Sequence, residues 1–223
     1  GFFCIKVNLS HNGTRPDDPL NFSDLEAFAN DTFSHQLNDL KAVLDFIEQT
    51  PDIPLNEMDV ANISLIGHSR GGSLVLLKGA QDARVTKIIT WSAVADLLAG
   101  YTPEEIAAWK ETGVKTISNT RTKQQMPIYY SYYEDLMNHP IRLNVLQAAS
   151  RLDKPLLVIH GDKDETIPIS DAYSIHQHAA DSKLIRIEGA NHTFGSAHPW
   201  NEETLPPHLK ATVEATVMFL KEK

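Results

Sequence analysis

One cysteine stands in 223 residues, and Cys4 alone can form neither an internal disulfide nor the thiolate set of a structural zinc site. Long apolar runs are missing too, since no stretch approaches the ~18 residues that a membrane-spanning helix needs. The 11 Gly and 12 Pro follow no period, which excludes collagen-like and low-complexity chains. Basic residues are the minority: 20 Lys+Arg against 29 Asp+Glu give a net charge of −9, and no basic cluster is present that could track a phosphate backbone. Nucleic acid and anionic membrane surfaces are therefore not expected as partners. What remains is a chain with 42% hydrophobic residues, enough for a sizeable core without staples. At ~150 residues per domain it amounts to one large domain, or one domain with an insertion.

Asn-x-Ser/Thr sequons occur at Asn12, Asn21, Asn30, Asn62 and Asn191. Asn62 borders an expected buried strand and Asn191 lies in an expected active-site loop, so a glycosylated secreted protein does not fit. A reducing cytoplasm fits best.

Residues 2–9 (Phe-Phe-Cys-Ile-Lys-Val-Asn-Leu) read as a strand. A polar loop follows, broken by Asn12-Gly13 and Pro16. From about Asp24 to Gln49, Leu37, Leu40, Val43, Leu44 and Ile47 recur at helical spacing, and Pro51 with Pro54 ends the run. Residues 60–66 suit a strand buried on both faces of a parallel sheet, and residues 73–79 an apolar helix. Strands are expected at 85–94, 156–159 and 184–187, and a helix at 209–220 with Leu209, Val213, Val217 and Leu220 on one face. This alternation predicts an α/β fold: a mostly parallel sheet with helices on both faces. Residues 97–150 are too long for a simple crossover and helical in pattern. They read as a helical cap inserted into a core made of residues 1–96 and 151–223.

The chemistry concentrates at three strand ends. Gly67-His68-Ser69-Arg70-Gly71 matches G-x-S-x-G with a strand before it and a helix after it, the context in which a sharp turn exposes the serine hydroxyl. The helix start behind Ser69 favours developing negative charge. The plainer alternative is a tight turn with Ser69 as a helix cap. A serine needs a base, and the base an orienting acid. The loop His160-Gly161-Asp162-Lys163-Asp164-Glu165-Thr166-Ile167-Pro168 supplies acids, and Asn191-His192-Thr193-Phe194 supplies the histidine. All lie just past strand ends, where α/β sheets place their sites.

With these segments the chain resembles the α/β-hydrolase superfamily, in the branch of bacterial esterases and dienelactone-hydrolase- or prolyl-oligopeptidase-like enzymes. The resemblance rests on residues 65–72, 156–168 and 188–194. It implies Ser69 as nucleophile and His192 as base. It implies Asp164 as acid, from the pattern H-G-x-x-D-x-x-[VI]-P, with Asp162 as competitor and Asp96 more remote. The Arg70 N–H would be one oxyanion donor. His68 and His160 read as structural, and His176, His178 and His198 as surface residues rather than metal ligands, so neither metal nor cofactor is expected. Five of the six tyrosines fall in the insertion. Tyr129, Tyr130 and Tyr133, with Met126, are candidates for a substrate wall, or else pack the insertion, as Tyr101 and Tyr132 also could.

The implied activity is that of a serine carboxylesterase on small to medium acyl or aromatic esters. A serine peptidase or acyl-peptide hydrolase and a non-catalytic binding protein are the alternatives. In the family's order, residues 2–9 stand where the fourth strand would, so about two β-α units, roughly 60 residues, are expected upstream, with the second oxyanion donor among them.

Overall fold

The computed structural model describes residues 1–49, 57–119, 122–197 and 199–222, so the helix end expected at Pro51 and Pro54 falls outside the described residues. In chain order the first half carries α1 (Leu25–Ala29), α2 (Phe33–Gln49), β1 (Ile63–His68), α3 (Arg70–Gly79), β2 (Val85–Trp91), α4 (Pro103–Thr112) and β3 (Val114–Asn119). The second half adds β4 (Gln124–Tyr129), α5 (Ser131–Asn138), α6 (Val145–Ser150), β5 (Leu156–Gly161), α7 (Ile169–His178), β6 (Ser182–Ile187) and α8 (Pro207–Lys221).

These elements form two units, residues 59–97 with 144–223, and residues 1–58 with 98–143. The sequence places residues 1–96 together in the core; here residues 1–58 group instead with most of the expected insertion.

The first unit is built on a parallel sheet in the order β1-β2-β5-β6. β5 reads Leu-Leu-Val-Ile-His-Gly and is buried at every position, as an interior parallel strand should be. Successive side chains point to opposite faces. Ile89, Leu157, Ile159 and Ile187 meet Phe194 and Phe219 of α8 on one face. Ile88, one step along β2, lies against Gly79 of α3 on the other. Helices thus cover both faces. Each such full burial contributes roughly 1.5–3 kcal/mol.

One expectation for this unit needs correcting. β1 is not buried on both faces: Ile66 is 46% exposed, and β1 is an edge strand paired with β2 alone among the described residues. On α8, Leu209 and Leu220 pack against the core, and the fully buried positions are Thr212, Thr216 and Phe219. The threonine hydroxyls donate to the carbonyls of His208 and Thr212, one turn back, which removes the penalty of burying them. Thr216 also accepts from Trp91 Nε1 at 3.0 Å.

The second unit packs Phe33, Leu37, Leu40 and Leu44 of α2 with Trp109, Met126, Ile128, Tyr132 and Leu136 among its buried apolar residues. It is not purely helical: β3 and β4 form an antiparallel hairpin, with Ile117 opposite Met126. Trp109 Nε1 donates to the Ile128 carbonyl at 2.9 Å, fixing α4 to β4. Residues 2–9 form no strand. Their β-type pattern leaves Phe2, Phe3, Ile5 and Val7 41–48% exposed, since a strand is stabilised only by a neighbour in register. Among the described residues no helix is long and apolar enough to cross a membrane.

Candidate active site

Ser69 sits between β1 and α3 with φ 56° and ψ −128°. Positive φ is costly for a residue with a side chain, and such strain marks a position that the surroundings over-determine. Here the surroundings are glycines. A Cβ on Gly67 would run into the Gly71 carbonyl oxygen, and one on Gly72 would lie 2.7 Å from Ala93 Cβ. The turn is fastened from outside by Ser69 N–H, which donates to the Trp91 carbonyl at 2.8 Å. Ser69 is the N-cap of α3, yet its side chain makes no capping hydrogen bond. The hydroxyl is therefore not spent on holding the helix, against the plainer reading of the motif. Arg70 opens α3, so its N–H points along the axis at the positive end of the helix, beside the hydroxyl.

Asp164 and His192 come together. His192 Nδ1 lies 2.8 Å from Asp164 Oδ2, and the carboxyl side chain is fully buried. The other oxygen, Oδ1, accepts from Thr166 N–H at 2.9 Å and Ile167 N–H at 2.8 Å. Burial alone would raise the Asp164 pKa. The backbone bond from Ile167, the His192 bond and the backbone bond from Thr166 outweigh it and hold the carboxyl below the ordinary aspartate value. Asp164 is thus an ionised acceptor, which directs the proton of neutral His192 to Nδ1 and leaves Nε2 as the basic nitrogen. Gly161 lets the acid strand and the histidine loop approach, for a Cβ there would strike the Ala190 carbonyl.

His68 joins the histidine loop to the elbow. Its Nε2 donates to the His192 carbonyl at 2.8 Å, and the two rings lie 4.7 Å apart. Loss of water around the His68 ring lowers its pKa, consistent with a neutral donor. Among the described residues Ser69 Oγ and His192 Nε2 are not joined by a hydrogen bond, and such bonds are often long in unliganded sites.

The other candidates lie elsewhere. Asp162 accepts from Gly189 N–H at 2.7 Å and faces Arg186, so it braces the loop after β6 instead of orienting an imidazole. His176 bonds Ser182 Oγ, His178 bonds the Ser174 carbonyl, and His198 lies outside the described residues. Among the described residues no three His, Cys, Asp or Glu side chains gather as metal ligands would. In the second unit Tyr130 and Tyr133 stack at 5.3 Å, and Tyr129 Oη donates to Glu26 at 2.7 Å, which raises the Tyr129 pKa. Met126 is 1% exposed, in the core of that unit. Sequence reasoning missed Ser92, a buried residue with φ 47° whose hydroxyl has no hydrogen-bond partner among the described residues; its only signal is its place directly after β2.

Comparisons with known proteins follow the same outline. A family model described as BD-FAE matches residues 24–178. A monoacylglycerol lipase of Mycolicibacterium smegmatis is 24% identical over 155 residues, covering 60% of this chain and 55% of the relative. The chain spans about half the length of the curated relatives it matches. Est1E from Butyrivibrio proteoclasticus, solved with ferulic acid bound, aligns with a TM-score of 0.63 at 22% identity, covering 87% of this chain and 70% of that one. Alpha/beta hydrolase domain-containing protein 10 from mouse aligns with a TM-score of 0.62 at 20% identity, covering 86% and 72%.

Proposed function

This chain belongs to the BD-FAE family and has the α/β-hydrolase fold, and from that premise we propose that it is a serine carboxylesterase. The observation that carries the reading is the 2.8 Å hydrogen bond from His192 Nδ1 to the buried Asp164 carboxylate, beside a serine held at positive φ.

In this mechanism Ser69 Oγ attacks the ester carbonyl while His192 Nε2 takes the hydroxyl proton. Asp164 keeps the imidazole in the correct tautomer and stabilises its positive form. The Arg70 N–H donates to the oxyanion of the tetrahedral intermediate. Collapse breaks the bond to the alcohol oxygen, which receives the proton from His192, and leaves an acyl-Ser69 ester. Water then adds to the acyl carbon as His192 takes its proton, the bond to Ser69 Oγ breaks to release the acid, and His192 returns the proton to Oγ.

The substrate class is an aromatic or small to medium acyl ester. The ferulic acid seen on Est1E makes a hydroxycinnamate ester a first choice to try. Tyr129, Tyr130 and Tyr133 make their contacts within the second unit, and Met126 is buried in its core. The single cysteine suits work in a reducing cytoplasm.

Hydrolysis of 4-nitrophenyl acetate, methyl ferulate and a blocked aminoacyl amide tests the reading. The esters should turn over faster than the amide, and Ser69→Ala should lower kcat by about 10⁶-fold. Faster amide cleavage would make it a peptidase, and ester turnover undiminished in Ser69→Ala would refute the mechanism.

A further inference from the structure

His160 lies within β5, fully buried, and the mechanism above does not use it. Its Nε2 is 3.0 Å from the Ile167 carbonyl oxygen and 3.3 Å from Asp164 Oδ2. A carbonyl only accepts, so Nε2 carries the proton. Nδ1 is buried with no hydrogen-bond partner, and a proton there would leave a buried donor unsatisfied. His160 is therefore the neutral Nε2–H tautomer, a fixed donor.

The bonds run as a chain. His160 donates to the Ile167 carbonyl, while the N–H of the same Ile167 donates to Asp164 Oδ1. Oδ1 is taken up by two backbone N–H groups and Oδ2 by His192 at 2.8 Å, with His160 Nε2 in close contact at 3.3 Å. Rotation of the carboxylate would lengthen the bonds to Oδ1 and Oδ2 at once.

We propose that His160 is a positioning residue for the reaction: its Nε2–H holds the Ile167 carbonyl, the Ile167 N–H holds Asp164 Oδ1, and the other carboxylate oxygen thereby stays in line with His192 Nδ1. The proposal rests on the Ser69–His192–Asp164 reading. Because a small misplacement of a catalytic group is costly, His160→Leu should lower kcat for 4-nitrophenyl acetate on the order of 10²-fold with KM unchanged. His160→Gln, which returns an N–H near the position of Nε2, should recover most of the loss. In His160→Leu the low-field proton resonance of the His192–Asp164 bond should broaden or vanish.

Should His160→Leu fail to fold, ¹⁵N-histidine spectra of the unsubstituted protein decide, because they distinguish the two neutral tautomers. Nε2–H at His160 is the expected form, and Nδ1–H would overturn the proposal. Unchanged kcat in a folded His160→Leu protein would overturn it as well. Retained turnover in Ser69→Ala would instead fell the triad reading, so the two failures are distinguishable.

Discussion

His68 Nε2 donates to the backbone carbonyl of His192 across 2.8 Å, so the residue directly before the candidate nucleophile holds the loop that carries the candidate base. The elbow and the histidine loop are separated by 124 positions in sequence, and this bond gives them a common reference. Neither side chain needs to touch the other for the base to stay near the serine.

Replacing His68 with Phe keeps a ring against Phe194 and removes the donor. A net hydrogen bond is worth ~0.5–1.5 kcal/mol. The expected outcome is a fall of up to about tenfold in kcat/KM for 4-nitrophenyl acetate, measured by steady-state kinetics, with little change in Tm.

The elbow makes opposite demands on two glycines of one motif. Gly67→Ala drives a methyl group into the Gly71 carbonyl, and overpacking of this kind costs about 1–3 kcal/mol or more. Gly71 has open space around its Cβ position and lies inside α3. Gly71→Ala should raise stability by about 0.5–1 kcal/mol, as alanine does in a helix interior. Urea unfolding of the two variants should move the midpoint in opposite directions.

The acid is assigned by a paired substitution. Asp164→Asn, which disturbs the His192 tautomer, should lower kcat about 10⁴-fold. Asp162→Asn leaves an amide oxygen to accept from Gly189 and should keep most of the activity. The reverse ranking would move the acid to Asp162.

Asp82 offers a pH test away from the site. It is held by the Arg84 guanidinium through two oxygens, at 2.7 and 2.8 Å, and by Lys78 at 3.0 Å, with the Lys78 and Asp82 side chains only 7% and 11% exposed. The Arg84 bonds first, then Lys78, lower its pKa below the ordinary aspartate value despite the opposing effect of burial. A depressed folded pKa contributes stability that is fully present above the unfolded value of ~3.9 and is lost as pH falls through the folded one. Asp82→Asn should therefore cost about 3 kcal/mol at neutral pH, because it strands a buried ammonium. The gap to the unsubstituted protein should narrow below about pH 4 in chemical-denaturation curves, following the same linkage.

The parts of the fold legible in the sequence are those under tight physical constraint. Interior strands such as β5 must be apolar at nearly every position, and an exposed serine at a strand-to-helix turn needs small neighbours, so residues 65–72 and 156–168 are readable. The β3–β4 hairpin was not legible. Its strands mix Lys115, Thr116 and Ser118 with Ile117, and Pro127 interrupts the second, so their pairing depends on contacts with α1 and α4 rather than on local pattern. Residues 2–9 fail in the opposite way: the β pattern is there, and among the described residues no strand pairs with it. On α8 the sequence shows the apolar Leu209 and Leu220, which pack on the core, but not Thr212 and Thr216, which count as polar until their hydroxyls find carbonyls in the preceding turn. His68 and His160 read as structural residues in the sequence, because their partners, the backbone carbonyls of His192 and Ile167, carry no local signature.

The central claim is that Ser69 is an activated nucleophile, and covalent labelling tests it most directly. The protein would be treated with a fluorophosphonate, its intact mass measured, and the modified peptide located by fragmentation. One adduct is expected, on Ser69, absent in Ser69→Ala and much slower to form when His192 is replaced by Ala. A folded protein that takes up no label, or takes it up on another residue, would contradict it.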